Sequence, residues 1–403
     1  MSNIQNRLAR VKDLIAEKDT SKKTSLPQRY NKIATQLGGE IVSNFAGSYC
    51  LVKTLYDFSY HHGNSPLNNI LETEKYHISA FTTNNENSKI ERLSLRFFDT
   101  ETTGLGGTGT VPFLIGVGSF IDGGFEVRQY IIPDYSDETA MLEDLSGEFS
   151  DSSTIVSYNG AAFDLPILRD RLILNRVAKE IKHDQHIDLL HSVRRLYKRR
   201  LGDCSLTNVE REIFSFYRED DIPGYLVPSV YFEWLNEENL KNMAAVMEHN
   251  RLDILSLAFI MERIASIFQE NGKNLDSIDD LHSLSKIHIR RKDHNQSLDI
   301  NNRITEQSLD SLADDILLFN AQIYKKTGEF EKAVSIWEKM KSSNSRQGMQ
   351  ANIEMAMYLE HMKKDYHHAL KCAQKAYNYH ELTSCQKKKH SSRVARLLKK
   401  ITD

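Results

Sequence analysis

The chain of 403 residues is poor in the features that mark disulfide scaffolds, export and membrane insertion. It has four cysteines, none of them in a C-x-x-C pair, which argues against a disulfide framework and against a cysteine zinc site. The first thirty residues lack the apolar run of a signal peptide, and no segment approaches the roughly 20 apolar residues of a membrane helix. We therefore expect a soluble, cytoplasmic protein with no membrane partner.

An excess of charge of one sign is also missing. The chain carries 52 Lys and Arg residues against 55 Asp and Glu residues, which gives a formal net charge of -3. This balance excludes a generally basic nucleic-acid coat, so any electrostatic partner must be recognised by local patches. With 40% hydrophobic and 27% charged residues, the chain is neither disordered nor fibrous, and it is long enough for two or three globular domains.

The pattern of apolar residues divides the chain into four segments. These are an N-terminal extension (1–89), an α/β domain (90–268), a polar linker (269–305) and an all-helical domain (306–403). In the extension, helical spacing predicts an amphipathic helix over residues 3–17, followed by small strands and turns. In the α/β domain, the predicted elements include strands over 111–120 and 154–157 and a helix that begins near Asp164. Their order is β-β-β-α-β-α, which predicts a mixed sheet flanked by helices.

The C-terminal segment contains a weak internal repeat. Asn320-Ala321 is echoed 36 residues later by Ala356-Met357, an offset close to the ~34 residues of a tetratricopeptide unit. Stacks of such units usually bind partners, so the tail is predicted to recruit a protein or to grip a nucleic-acid strand.

Acidic residues of the α/β segment lie where strands and helices can bring them together. Asp99 and Glu101 follow an apolar strand and are two residues apart, which puts both side chains on one face. Asp164 follows a second buried strand. Asp253 lies on a helix four residues after His249, so these two side chains share a helical face. A D-x-E pair alone is a weak signal and is also found at solvated strand ends. The accompanying residues Asp164, His249 and Asp253 favour a functional site.

Carboxylates that converge in this way repel each other unless cations lie between them. Oxygen ligands without a thiolate favour two Mg²⁺ or Mn²⁺ ions, with Asp99, Glu101, Asp164 and Asp253 as ligands. Two such ions ~4 Å apart activate a water and stabilise the leaving oxygen of a phosphodiester. Asp99, Glu101 and His249 are the predicted catalytic residues, with His249 placed to accept the water proton.

At this point the sequence resembles the DEDD superfamily of 3′–5′ exonucleases, which have a ribonuclease-H-like fold. The segment 98–105 is similar to the first motif of that superfamily, 159–166 to the second and 249–253 to the third. The whole chain resembles the bacterial YprB-like proteins, in which a ribonuclease-H-like domain precedes tetratricopeptide-like helices. The resemblance implies a two-metal-dependent 3′–5′ exonuclease that acts on single-stranded or frayed DNA or RNA.

One position departs from the superfamily pattern. The DnaQ-like subclass has its histidine five residues before the last aspartate, where this chain has Glu248. His249 instead stands where the other subclass has tyrosine, so its role as general base is left open. For Asp188, which precedes the next predicted helix, a supporting role is favoured over metal ligation.

Candidate nucleic-acid contacts come from the motifs and from a basic cluster. The resemblance implies that Thr102 and Leu105 hold the 3′-terminal nucleotide, and the same motifs add Gly104 and Asn159. A predicted helix near Asp188 carries the basic cluster, which is suited to phosphates: Arg194, Arg195, Lys198, Arg199 and Arg200. A solvated helix face explains this cluster equally well. The lysines and arginines of the C-terminal helix have the same two interpretations.

Two other functions use the same residues. The nuclease fold could have lost activity and serve as a nucleic-acid or protein-binding module, or it could cut branched or hybrid structures as an endonuclease. Fold alone does not choose between them. Retention of all four carboxylates favours an enzyme, because so much like charge without metal would destabilise the fold. No motif separates DNA from RNA.

Overall fold

The chain forms two compact units in the computed structural model. The described residues are 26–71, 73, 75–82, 88–104, 106–107, 109–237, 240–308, 312–379 and 382–402. The helix predicted over residues 3–17 lies outside them. The first unit, called the sheet unit, holds the described residues up to 194 and those from 203 to 266. The second, called the helical unit, holds residues 195–202 and the described residues from 267 onward.

A mixed sheet is the centre of the sheet unit. The strands of this unit are β1 (Glu40–Asn44), β2 (Gly47–Tyr56), β3 (His61–His62), β4 (Ser65–Pro66), β5 (Lys75–His77), β6 (Lys89–Glu91), β7 (Leu95–Thr102), β8 (Pro112–Ile121), β9 (Gly124–Ile131), β10 (Thr154–Ser157) and β11 (Gln185–Asp188). Seven of them form one sheet in the order β1-β2-β9-β8-β7-β10-β11, while β3–β4 and β5–β6 are separate small pairs. Strands β7, β10 and β11 are parallel, and the other neighbours in the large sheet are antiparallel.

Helices flank this sheet and bury an apolar core. The helices that begin in this unit are α1 (Leu26–Leu37), α2 (Leu67–Leu71), α3 (Glu138–Leu145), α4 (Asp164–Leu174), α5 (Leu189–Leu201), α6 (Leu206–Phe214), α7 (Val227–Glu237) and α8 (Leu240–Gln269), and the C-terminal residues of α5 and α8 belong to the helical unit. The core joins apolar side chains of β2, β8, β9 and β10 to those of α3, α4, α7 and α8, and the stacked rings of Phe113 and Tyr231 lie within it. The predicted class, a mixed sheet flanked by helices with the order β-β-β-α-β-α, is confirmed.

The N-terminal segment differs from the prediction of a separate extension. Strand β2 pairs with β9 along seven residues, and β1 pairs with β2, so both belong to the main sheet. Tyr49, Cys50, Leu51 and Val52 of β2 are buried. Without β2, the edge of β9 would expose unpaired backbone groups, which is a common reason for a sheet to recruit an additional strand.

The helical unit contains α9 (Ile278–Arg290), α10 (His294–Ser308), α11 (Asp314–Thr327), α12 (Phe330–Met340), α13 (Arg346–Tyr358), α14 (Tyr366–Tyr377) and α15 (Ser384–Thr402). The linker predicted over residues 269–305 is therefore wrong, because α9 and nearly all of α10 fall within it. Ser277 caps α9 by accepting from the backbone N–H of Asp280, and Leu281, Leu284 and Ile287 are buried. Buried polar residues between these apolar positions hid the helical pattern in the sequence.

The predicted repeat corresponds to two successive helical hairpins, α11–α12 and α13–α14. Ala321 and Ala356 on the first helix of each hairpin are both fully buried, as are Ala333 and Ala369, which are 36 residues apart on the second helix. The helical character of this region is confirmed, and the tetratricopeptide assignment stays a prediction. In the described part of the chain, no helix is long and apolar enough to cross a membrane.

Candidate active site

Strand β7 presents the first acidic pair. Along this strand Thr100 and Thr102 are buried, while Asp99 and Glu101 are half-buried on the opposite face. The pairing register with β8 shifts directly after Glu101, where the strand is about to end. Both carboxylates therefore project from one face near the carboxyl end of β7.

The turn after β10 brings Asp164 to the same end of the sheet. All four residues of β10 are buried, and the strand is parallel to β7. Asn159 follows in a left-handed conformation with φ of 67°. Asp188 holds this turn, because its carboxylate accepts hydrogen bonds from the backbone N–H groups of Asn159 (2.8 Å) and Ala161 (3.2 Å). Helix α4 then begins at Asp164 itself, and the Asp164 carboxylate accepts a hydrogen bond from Thr100 of β7.

Helix α8 supplies the third part of the site. Its fully buried Asn250 donates through Nδ2 to Asp99 Oδ2 (2.9 Å) and accepts at Oδ1 from Gln129 (3.0 Å). Gly116 stands opposite Asp99 in the β7–β8 register, and a Cβ atom there would overlap Asn250 Oδ1. Glycine at this strand position therefore lets α8 approach the sheet and places Asp253, one helical turn after Asn250, beside the strand acids.

Electrostatics link the four acidic side chains. The pKa values of Asp99 and Glu101 are raised well above the usual range, first by burial and then by the negative charges of Asp253 and Asp164. Burial also raises the pKa of Asp164 to about 6, although the hydrogen bond from Thr100 opposes this shift. The structure thus brings Asp99, Glu101, Asp164 and Asp253 close enough together to repel one another.

The donor set fits a hard divalent cation in its chemistry, since it consists of carboxylate oxygens with excess negative charge. As the side chains stand, however, no three His, Cys, Asp or Glu residues in the described ranges are arranged closely enough to hold a metal. Three of the four carboxylates have hydrogen-bond partners in the protein. Asp99 is bound by Asn250, Asp164 by Thr100, and Asp253 by the guanidinium of Arg218.

Several residues of the site escaped the sequence analysis. Arg218 lies in the loop between α6 and α7, and its side chain is 4% exposed. It donates to Glu210 and Asp253, and Asp221 lies 3.6 Å from it. The available signal was a charged run just before Pro223 in the loop, and for Asn250 it was the position next to His249 within the third motif.

His249 lies at the edge of this cluster, on the helical face predicted for it. Its Nε2 atom is 3.7 Å from Asp253 Oδ2, and its Nδ1 atom is 2.7 Å from Asp221 Oδ1. Glu248, one residue earlier, forms an ion pair with Arg251 instead. The imidazole is therefore held by two carboxylates, and its role as general base stays a prediction.

The residues predicted to contact a nucleotide differ in their exposure to solvent. Asn159 is exposed on its turn. Thr102 is buried, and its hydroxyl donates to the carbonyl oxygen of Gly104 (2.7 Å), so this side chain stabilises the turn after β7. Gly104 is half-buried, and Leu105 lies outside the described residues.

The predicted basic cluster lies on α5. Within the helical unit, Arg199 binds Asp279 and Asp315, and Arg200 binds Asp280. These ion pairs account for two of the five charges without a nucleic acid. Arg194 and Lys198 are exposed, Arg195 is half-buried, and a phosphate-binding role for the cluster stays a prediction.

Comparison with known proteins agrees with this architecture. Residues 96–265 match the model of the RNase_H superfamily, and residues 319–401 match a domain of unknown function, DUF6340. The chain is 31% identical over 365 residues to the uncharacterized protein YprB of Bacillus subtilis (strain 168), a similarity that covers 89% of this chain and 88% of YprB. The chain therefore belongs to the YprB family and combines a ribonuclease-H-like domain of nuclease fold with a helical C-terminal region.

Proposed function

We propose that the chain is a metal-dependent 3′–5′ exonuclease that hydrolyses phosphodiester bonds of single-stranded or frayed DNA or RNA. The nuclease fold supports a hydrolase that binds nucleic acid. One observation carries the finer proposal: Asp99, Glu101, Asp164 and Asp253 lie together at the end of the parallel strands, where the charges of Asp253 and Asp164 add to burial in raising the pKa values of Asp99 and Glu101. An arrangement that costs stability in the absence of a ligand is expected at a functional site.

Two Mg²⁺ or Mn²⁺ ions, held by these four carboxylates, would supply an activated water and stabilisation of the leaving oxygen. The surrounding residues position the ligands. Asn250 fixes the orientation of Asp99, and Thr100 fixes that of Asp164. His249 lies beside this centre, with Nδ1 2.7 Å from Asp221 Oδ1 and Nε2 3.7 Å from Asp253 Oδ2, where it would position or deprotonate the water.

Nucleic-acid contacts are proposed around this centre and on the helical unit. Asn159 and Gly104 stand at the two turns that follow β10 and β7, so they frame the acidic side chains. On α15, Lys387, Lys388 and Lys389 are exposed and suited to phosphates. A protein partner of the helical unit is the alternative use of this surface.

Cleavage of end-labelled oligonucleotides tests the proposal. Wild type, Asp99→Asn and Asp122→Asn are incubated with 3′- or 5′-labelled single-stranded DNA and RNA in Mg²⁺, Mn²⁺ or EDTA. Asp122 is an exposed carboxylate in the β8–β9 turn and serves as the matched control. We expect stepwise shortening from the 3′ end that requires metal, is lost in Asp99→Asn and is unchanged in Asp122→Asn.

Other outcomes identify the alternatives. Internal cuts that need Asp99 would indicate an endonuclease. Binding of the oligonucleotides without cleavage in any metal would indicate a binding module on a nuclease fold. Cleavage at the wild-type rate by Asp99→Asn would overturn the site assignment.

A further inference from the structure

A buried cation lies against the acidic cluster. Arg218 donates through Nε and Nη2 to the two carboxylate oxygens of Glu210, at 2.7 and 2.6 Å, and Nη2 also donates to Asp253 Oδ1. Its guanidinium is thus held by two carboxylates at once. One of them, Asp253, is a proposed metal ligand.

Residues behind Glu210 fix this arrangement. The side chain of Glu210 is 1% exposed, and Ser256 of α8 donates a hydrogen bond to it. The same hydroxyl lies 2.9 Å from Nε2 of His62, which is fully buried and stacks on Phe216 with ring centroids 3.9 Å apart. Because each side chain in this hydrogen-bonded series has its partner in place, Arg218 has little freedom to leave the cluster.

The charges around Arg218 do not cancel. Glu210, Asp221 and Asp253 all lie within 4 Å of one guanidinium, and its positive charge also lowers the pKa of Glu101. One arginine cannot neutralise this many carboxylates, so it offsets only part of their repulsion. A divalent cation would compete with Arg218 for Asp253 Oδ1 and would be repelled by its charge.

We propose that Arg218 is a built-in counter-ion of the acidic site, which stabilises the metal-free protein by holding Asp253 and which a metal ion must compete with to bind. This inference rests on the proposed function, because it takes the four carboxylates as metal ligands. Arg218 is a positioning residue in this scheme: it sets the affinity for the cation and the stability without it. Glu210 acts in the opposite direction, since it neutralises Arg218.

Titration of the full chain with Mn²⁺ in a calorimeter tests this assignment. Arg218→Gln is expected to bind Mn²⁺ about tenfold more tightly than wild type, because a unit charge a few ångströms away is removed. Glu210→Gln keeps the shape of the side chain and is expected to bind Mn²⁺ severalfold more weakly. Asp122→Asn should match wild type. In EDTA, Arg218→Gln should unfold at a lower temperature than wild type and should gain more from added Mn²⁺.

Tighter Mn²⁺ binding by Arg218→Gln together with weaker binding by Glu210→Gln supports the counter-ion role, whereas weaker binding by both variants would overturn it. If Arg218→Gln fails to fold, Arg218→Lys and Glu210→Gln decide: the lysine variant should bind as wild type does, and equal affinity of Glu210→Gln and wild type would contradict the inference.

The failure of the proposed function gives a different pattern. If wild type binds Mn²⁺ and cleaves but Arg218→Gln binds no more tightly, only the inference fails. If Arg218→Gln binds more tightly but no variant cleaves, the counter-ion role stands without the nuclease activity. If neither wild type nor Arg218→Gln takes up Mn²⁺, both fail.

Discussion

The two units treat buried carboxylates in opposite ways. In the helical unit, Glu360 has no exposed side-chain surface, and it accepts hydrogen bonds from Arg396 (2.8 and 2.9 Å) and Lys400 (2.7 Å) of α15. These partners lower its pKa to about 2. In the sheet unit, Glu101 shares the charge of Arg218 with several other acids, Asp99 is bound by the neutral amide of Asn250, and the pKa values of both acids are raised.

The difference separates a structural acid from the acids that we propose to be functional. Glu360 has two cations of its own, so its charge binds α15 to the π-helical segment Leu359–Lys363 that follows α13 and stabilises the fold. The acidic site keeps an excess of negative charge, which opposes folding unless a cation enters. Four substitutions test this contrast.

The largest effect is expected from Asp99→Asn. Activity should fall by more than about 100-fold, because changes in residues that only support metal ligands already cost 10–100-fold. The unfolding temperature in EDTA should rise, since one of the repelling charges is gone. Cleavage assays and thermal denaturation of the same preparation check both outcomes. A loss of activity accompanied by a loss of stability would place Asp99 among the structural acids instead.

Asp164→Asn should change the pH dependence of stability in EDTA. The folded-state pKa of Asp164 is about 6, above the usual 3.8 of the unfolded chain. The native state therefore binds more protons between these values, and the unfolding free energy falls as pH rises from about 4 to 6. This fall is on the order of 2 to 3 kcal/mol, and it should be absent from Asp164→Asn. Urea denaturation of wild type and Asp164→Asn at pH 4 to 7 measures this difference. If the unfolding free energy depends on pH in the same way in the two proteins, the contrast is contradicted.

Glu360→Gln should destabilise the protein by about 2 kcal/mol, because charge-assisted hydrogen bonds are replaced by weaker ones. The folded-state pKa of Glu360, about 2, lies below the usual 4.5. Its contribution is therefore fully present above pH 4.5 and is lost as pH falls toward 2. Urea denaturation at pH 7 and pH 3 should show a smaller difference from wild type at pH 3. Nuclease activity at pH 7 should not change.

His249→Tyr is expected to have the smallest effect. If His249 occupies a position that tyrosine fills in related sites, the variant should keep activity within about tenfold of wild type, since loss of a true general base costs 10²–10⁴-fold. Single-turnover cleavage rates with saturating Mn²⁺ measure this difference. Complete loss would show that imidazole chemistry is required.

Much of the sheet unit could be predicted because its local patterns agree with its tertiary structure. The strand predicted over 154–157 and the helix start near Asp164 match the structure, since a short apolar run ends in a turn there. The strand predicted over 111–120 is observed at Pro112–Ile121. Predictions failed where pairing partners were distant: β2 joins the sheet through β9, about 80 residues away, and α9 buries polar side chains that concealed its periodicity.

The sequence by itself determined the order of the elements and the four carboxylates, because period-two and helical spacing fix which side chains share a face. Tertiary structure alone decided how those carboxylates are held. Asn250, Gly116 and Gln129 come from different elements, and only the packing of α8 on β8 unites them around Asp99. Arg218 contacts Asp253 from a loop, and loop residues lack the periodic spacing from which shared faces are predicted. Electrostatic balance depends on distance in space, and that distance is set when the chain folds.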